Sequence, residues 1–300
     1  MNEFACEVRA GLSKPQKELP SKYLYDELGS ALFDAITVLP EYGLTRADQR
    51  ILDRCAGKIP REFPLLAEFG CGSGRKTRAV LEALSPRQYF PIDVSAAALD
   101  RCRRELRGLA GIEPVEASYL NGLDRIARNG DPLLLLFLGS TIGNFDARCR
   151  NDFLRQVRAR LCPGDALLIG FDLIKPAAVM LEAYDDPCGV TASFNLNLLG
   201  RIDRELGGDF DLRAFAHEAR YDTREQRIEM HLRSLAAQMV TIREASFTCA
   251  FCSGETIWTE SSHKFEAGEI PEIAHAAGFE PEAQWIDREW PFAENLWRAA

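Results

Sequence analysis

The 300-residue sequence has no apolar run long enough to cross a membrane; its longest, residues 133–138, has the length of a strand. It has no excess of basic residues either. Lys and Arg number 36 against 45 Asp and Glu, a formal charge of −9, which argues against a nucleic-acid partner held through its phosphates. Asn2, Glu3 and Glu7 replace the basic-then-apolar layout of a secretory signal. One CxxC is present, Cys249 with Cys252, but no second pair and no histidine pair stands at ligand spacing, and His263 alone does not complete a zinc site. The motif falls in the apolar stretch 247–251, Cys249 inside it and Cys252 just after, and its thiols read as small buried side chains. Internal repeats, low-complexity tracts and Gly/Pro/Ser-dense linkers are missing.

What is there is a globular composition, 46% hydrophobic and 27% charged. Its length allows one large or two modest domains. Nine scattered cysteines, an odd number, fit a reduced cytoplasm better than a disulfide framework.

Residues 46–172 read as alternating strands and helices. Thr45 and Asp48 resemble a capping pair that opens a helix to about Cys55. Strands are expected at 65–69, 88–94, 114–117, 133–138 and 166–171, with helices at 76–84, 96–107 and 147–161 between them. Stretch 133–138 is continuously apolar, as a central parallel strand covered on both faces must be. The expected core is a doubly wound parallel α/β sheet. Beyond Leu173 the pattern breaks. Val190, Phe194, Leu198 and Ile202 recur every four residues on one helical face. Residues 227–233 alternate with Ile228, Met230 and Leu232 on one face. Residues 256–265 alternate too, and the period-two reading puts Thr256, Trp258, Glu260 and Ser262 on one face. The array resumes with a helix at 270–277, stopped by Gly278, and strands near 283–286 and 293–297. About ninety residues therefore look inserted into an α/β core.

The first strand runs into Glu68-Phe69-Gly70-Cys71-Gly72-Ser73-Gly74 and then a helix. Glycines there let the backbone turn sharply and bring N–H groups close to a ligand. Asp93 ends the second strand, 23 residues after Gly70, where a carboxylate can accept ribose hydroxyls. A dinucleotide enzyme would show G-x-G-x-x-G; here the spacing is G-x-G-x-G, with Arg75 after it. An acidic residue two before the first glycine, as Glu68 is, points to S-adenosylmethionine. The alternatives are plain turn glycines or, less compatible with the spacing, an NAD-dependent oxidoreductase. A second cluster, Gly139-Ser140-Thr141-Ile142-Gly143-Asn144-Phe145, follows the fourth strand, beyond the carboxyl ends where open α/β sheets bind ligands. Asn144 offers donor and acceptor to an amine or carboxylate. A turn closed by Asn and Gly accounts for that stretch equally well on composition alone.

Several stretches resemble the histidine Nα-methyltransferases of the ergothioneine pathway. They are Ser21-Lys22-Tyr23-Leu24-Tyr25-Asp26, Leu39-Pro40-Glu41-Tyr42, Leu138-Gly139-Ser140-Thr141-Ile142-Gly143-Asn144 and Ala183-Tyr184-Asp185-Asp186 with Gly189-Val190-Thr191-Ala192. Arg227-Ile228-Glu229-Met230, and Thr259-Glu260-Ser261-Ser262 with Lys264-Phe265, continue the series. Order and spacing are kept from about residue 8 to 290. The resemblance implies a class I, Rossmann-like methyltransferase core (46–172 with 265–300) and an α+β substrate-binding domain made of the N-terminus and the insertion (1–45 with 173–264).

By position, the resemblance implies cofactor contacts at Gly70, Lys76 and Asp93, beside Glu68, Gly72 and Gly74 of the same loop. It implies amino-acid contacts at Tyr42, Asn144 and Tyr184, with Gly139 beside them, imidazole contacts at Glu260 and Ser262, and pocket positions at Tyr25 and Met230. Substrate positioning falls to Asn144 and Tyr42. The family's acidic adenine contact appears here as Ser118, followed by Tyr119, a neutral and weaker acceptor. The implied activity is S-adenosylmethionine-dependent trimethylation of the α-amino group of L-histidine, by way of its mono- and dimethyl forms, in a cytoplasmic monomer without metal. The alternatives are an N-methyltransferase of another aromatic amino acid, such as a tryptophan derivative, and a noncatalytic S-adenosylmethionine-binding module.

Overall fold

The computed structural model describes residues 2–299. The chain forms two compact units, Met1–Gly43 with Lys175–His263 and Leu44–Ile174 with Lys264–Ala300. No described helix is long and apolar enough to cross a membrane.

The second unit is built on one sheet, with strands in the order Phe279–Asp287, Phe292–Ala299, Ala166–Asp172, Leu133–Phe137, Leu65–Phe69, Gln88–Asp93, Gly111–Ile112; Val115–Glu116 also pairs with Gln88–Asp93. Every residue of Leu65–Phe69, Leu133–Phe137 and Ala166–Asp172 is buried. Alternation explains why an unbroken apolar run is needed. Leu65, Ala67, Leu133 and Leu135 pack with Phe153, Leu154 and Ile273 from helices Ala147–Arg158 and Ile270–Ala277. Leu66, Leu134 and Leu136 join Leu52, Val80, Leu81 and Leu99 from helices Leu44–Cys55, Thr77–Leu84 and Ala96–Glu105. Each such side chain contributes about 1.5–3 kcal/mol by leaving water.

Within residues 46–172 every strand pairing is parallel, as expected; the last two strands make the sheet mixed. Phe279–Asp287 and Phe292–Ala299 form an antiparallel hairpin, and the latter runs antiparallel to Ala166–Asp172. A parallel crossover needs a dozen residues or more. Here the turn after Asp287 is short, and its carboxylate accepts the N–H groups of Glu289 and Trp290 at 3.0 and 2.9 Å.

The first unit has a four-stranded sheet in the order Lys17–Glu18, Thr256–His263, Arg227–Ser234, Phe215–Asp222, accompanied by helices Glu27–Ile36 and Val190–Leu206. Asp26 caps the first of these helices through Gly29 N at 2.7 Å and also accepts from Asn197 Nδ2 at 2.7 Å and Arg204 Nη2 at 2.6 Å. One carboxylate thus ties the two helices together. Burial opposes its ionisation, but these donors outweigh burial and hold its pKa below the usual value. Asp186 does the same for the second helix, accepting from Val190 N at 3.0 Å and Thr191 N at 2.7 Å.

One sequence expectation fails in this sheet. The register shifts between Trp258 and Glu260: Trp258 pairs with His231, whereas Glu260 pairs with the adjacent Met230. Cross-strand partners share a face and neighbours alternate, so this bulge turns Trp258 and Thr256 away from Glu260 and Ser262. Trp258 instead meets the Arg227 guanidinium at 4.6 Å and stacks with His231 at 6.1 Å. The CxxC is corrected as well: Cys249 is buried but Cys252, past the end of strand Phe247–Phe251, is exposed.

Candidate active site

The glycine loop leaves strand Leu65–Phe69 at its carboxyl end. Gly70, Gly72 and Gly74 take φ of +69°, +50° and +77°, the left-handed region that a side chain disfavours. At Gly70 a Cβ would also lie 3.1 Å from the Tyr119 hydroxyl. Glu68 lies below this loop, 2% exposed, and its Oε2 accepts the hydroxyls of Thr77, at 2.7 Å, and Tyr89. Burial pushes its pKa up to about 7, against the pull of those two donors. Glu68 therefore braces the turn between strand and helix from the inside. Asp93 ends the neighbouring strand and accepts Ser95 N at 2.9 Å. Burial raises its pKa despite the N–H groups of Ser95, Gly72 and Val94. Ser118, exposed, precedes helix Tyr119–Leu123, and the Tyr119 ring stacks on Phe69 at 5.0 Å and 23°.

Gly139 follows strand Leu133–Phe137 with φ of +74°, and a Cβ there would stand 3.2 Å from Lys76 Nζ. Its N–H donates to Asp48 Oδ2 at 2.9 Å, and Lys76 Nζ meets the same oxygen at 2.6 Å. Asp48 is completely buried. It does not cap the helix Leu44–Cys55 as expected: that helix starts at Leu44, Thr45 lies inside it, and the Asp48 carboxylate turns inward to Gly139 and Lys76. Ser140 Oγ accepts Asp172 N at 3.0 Å, and the turn Thr141–Asn144 ends on Asn144. Glycine loop, Asp93, Lys76 and the Gly139 loop thus share one end of the core sheet. Their positive-φ turns and carboxylate suit a nucleoside with a charged amino-acid tail. Among the described residues no group of three or more His, Cys, Asp or Glu could hold a metal ion.

In the first unit, aromatic rings form a continuous wall: Tyr25 to Phe194 at 5.4 Å, Phe194 to Phe33 at 6.0 Å, Phe33 to Tyr42 at 6.3 Å, and Tyr42 to Tyr184 at 6.2 Å. The Tyr184 hydroxyl donates to Ser262 Oγ at 2.7 Å. Ser262 and Glu260 lie on one face with Ile228 and Met230 of the paired strand. Met230 and Ser262 are buried, and Glu260 is 9% exposed. The main chain of Tyr184 is held as well. Asn195 Nδ2 lies 2.9 Å from His217 Nδ1, which must accept, so His217 Nε2–H donates to the Tyr184 carbonyl at 2.8 Å.

Phe33, Phe194, His217, Asp48 and Glu294 were not legible as site residues in the sequence. Phe33 stands in no motif, Phe194 reads as one residue of an apolar helical face, and Glu294 falls in the strand expected near 293–297. Gly170 carried the only signal for Glu294, since a glycine inside a strand marks a close approach. A Cβ there would lie 2.7 Å from Glu294 Oε1 and 2.2 Å from the Gly139 carbonyl.

Compared with known proteins, residues 4–299 match the family described as histidine-specific methyltransferase, SAM-dependent. The histidine N-alpha-methyltransferase of Mycobacterium tuberculosis is 42% identical, over 97% of this chain and 93% of the relative. That of Mycolicibacterium smegmatis is 39% identical over the same shares. An L-tryptophan methyltransferase of Psilocybe serbica is 26% identical, over 93% of this chain and 88% of the relative. With a family match along nearly its whole length and a Rossmann-like core to carry it, the chain belongs to the SAM-dependent, histidine-specific methyltransferases.

Proposed function

We propose that this protein transfers methyl groups from S-adenosylmethionine to the α-amino nitrogen of L-histidine, three times in succession, giving Nα,Nα,Nα-trimethyl-L-histidine on the way to ergothioneine. The observation that carries the reading is the Tyr42–Tyr184 wall with Ser262 and Glu260 on one strand face beside it. Glu260 can accept an imidazole N–H, and Ser262, itself held by Tyr184, can complete the match to the ring. Tyrosine faces favour the cation that forms as the nitrogen gains methyls, by about 0.5–2 kcal/mol. The unit containing Leu65–Phe69 holds the cofactor in this reading, and the other unit supplies Tyr42, Tyr184, Glu260 and Ser262 for the amino acid.

When bound, S-adenosylmethionine supplies an electrophilic methyl on its sulfonium. Asp93 would accept the ribose hydroxyls, and Tyr119, Ser118 and the Gly70–Gly74 turn would frame the nucleoside. Lys76 would face its carboxylate. Asn144 and Tyr42 would hold the amino acid's own polar groups, and an α-amine must reach this site neutral, since a protonated amine has no lone pair. Positioning then supplies most of the acceleration, up to about 7–11 kcal/mol. Nine free cysteines accord with a reducing cytoplasm, where we place the enzyme as a monomer.

Mass spectrometry tests the reading. After incubation with S-adenosylmethionine and the twenty amino acids together, histidine should gain one, two and three methyls. Methylation of tryptophan instead would assign the chain to the activity named for its fungal relative, and no mass change on any amino acid would leave a binding module.

A further inference from the structure

Asp48 Oδ1 and both carboxyl oxygens of Glu294 are buried and have no hydrogen-bond donor, although both residues are completely shielded from water. Both carboxyls flank Gly139: Asp48 accepts its N–H at 2.9 Å, and Glu294 Oε1 and the Gly139 carbonyl crowd the same point beside Gly170, so that Asp48 acts directly on the Glu294 carboxyl. Glu294 comes from strand Phe292–Ala299 and lies over Gly170, its cross-strand partner, whose missing side chain makes room for the carboxyl. Three adjacent orphan acceptors in a dry site are untenable as two carboxylates: like charges so close cannot both ionise. One proton between the facing oxygens removes the repulsion and satisfies one oxygen on each residue at once.

We propose that Asp48 and Glu294 share a single proton, and that this acid–carboxylate pair is the device that positions Lys76 and the Gly139 N–H at the cofactor end of the sheet. The inference rests on the reading of that end as the S-adenosylmethionine site. With the shared proton, Asp48, Glu294 and Lys76 are together neutral. Asp48 keeps its charge on Oδ2, the oxygen that receives both Lys76 and Gly139, while Glu294 takes the proton and blocks Oδ1. Burial, and then Asp48, drives the Glu294 pKa well above the usual carboxylate range. The Lys76 pKa is raised: burial opposes the charge, and Asp48 and its neighbours outweigh that. The other titratable groups facing the pair are Glu68 from strand Leu65–Phe69, which also acts on Lys76, and Cys55 from the far end of the Asp48 helix, whose thiol burial and these carboxylates push up to about 12. Gly139 and Gly170 face it with backbone alone, and Trp285, across the hairpin from Glu294, does not titrate.

Loss of the shared proton would place one uncompensated negative charge beside Lys76. Affinity for an anionic-tailed cofactor should then fall by roughly tenfold. Glu294→Gln cannot lose a proton and still offers a donor to Asp48, so it should remove that alkaline decline and also control for titration of the ligand's own amine.

Infrared spectroscopy of the protein carrying ¹³C-labelled glutamate provides the direct test. At neutral pH a protonated glutamate C=O band is expected that survives Glu68→Gln and disappears in Glu294→Gln. Calorimetry with S-adenosylhomocysteine, from neutral to alkaline pH, should show the decline in the wild type and a flat profile in Glu294→Gln. A wild type with no protonated-glutamate band beyond that of Glu68 overturns the proposal, and needs no Glu294 variant to fold. A band with no binding at any pH overturns the cofactor role and with it the reading of the site, while leaving the shared proton itself demonstrated.

Discussion

The Tyr184 hydroxyl donates to Ser262 Oγ at 2.7 Å, joining the end of helix Ala177–Tyr184 to strand Thr256–His263. Ser262 is buried, so this bond helps to orient its hydroxyl inside the protein. Glu260 lies two residues away on the same face, and in the proposed function the two side chains meet the two nitrogens of one imidazole ring.

Tyr184→Phe and Ser262→Ala should each raise KM for histidine about fivefold, the worth of one neutral hydrogen bond of ~1 kcal/mol. The two effects should not add in the double variant, because either change already removes the shared bond. Steady-state kinetics on the four proteins checks this, with S-adenosylhomocysteine affinity unchanged throughout. Additive losses would mean that the two side chains act on substrate separately.

Glu260→Ala should abolish the preference for histidine over tryptophan. A site built around a hydrogen-bonded partner rejects analogues lacking it by as much as ~10⁴-fold, since its buried polar group is left unpaired. A competition assay with both amino acids reads the ratio directly. An unchanged ratio in the variant would remove Glu260 from the recognition of the ring.

How much of this was legible beforehand depended on period and on loops. The parallel core was visible because Leu65–Phe69, Leu133–Phe137 and Ala166–Asp172 are buried on both faces and so must be apolar throughout. The two turns at the carboxyl end of the core strands were visible because Gly70 and Gly139 occupy positive φ, which composition betrays. Glu260 and Ser262 share a face, as the period-two pattern implies, since both follow the bulge, but Trp258 does not, because an inserted residue at Thr259 leaves no trace in such a pattern. Asp48 misled for another reason. Its spacing from Thr45 imitates a capping box, while its real partners, Gly139 and Lys76, lie 91 and 28 residues away in the chain. Long-range charge pairs have no local signature.

Lys264→Ala should destabilise the fold by about 3–5 kcal/mol, the cost of breaking a buried ion pair by removing one partner. Lys264 Nζ lies 2.9 Å from Asp172 Oδ2, with side-chain exposures of 0% and 3%. These residues stand where the chain leaves the core after Ala166–Asp172 and where it re-enters, and Leu173 bridges to Phe265 beside them. Chemical denaturation should show the loss as a lower midpoint. The double variant Lys264→Met with Asp172→Asn should recover much of it, since neither charge then remains to be compensated. A single variant as stable as the wild type would show that this pair is solvated.

Asp287 gives a stability change whose pH dependence has a definite sign. Arg50 holds it from helix Leu44–Cys55 with two bonds, Nε to Oδ2 at 2.9 Å and Nη2 to Oδ1 at 2.7 Å. Those bonds first, together with the N–H groups of Trp290 and Glu289, keep the folded pKa below the usual value against the opposing effect of burial. A carboxylate with a depressed folded pKa contributes stability that is present above its unfolded pKa of about 3.9 and is lost as pH falls through the folded value. Asp287→Asn should therefore cost ~1.5–3 kcal/mol at neutral pH, the range for hydrogen bonds to a charged group. Urea denaturation of both proteins should show a constant difference down to about pH 4. Below that the wild type should lose stability faster than the variant, so the curves converge in acid. Curves that stay parallel through the acid limb would mean that Asp287 titrates alike in the folded and unfolded chains, and that Arg50 does not hold it.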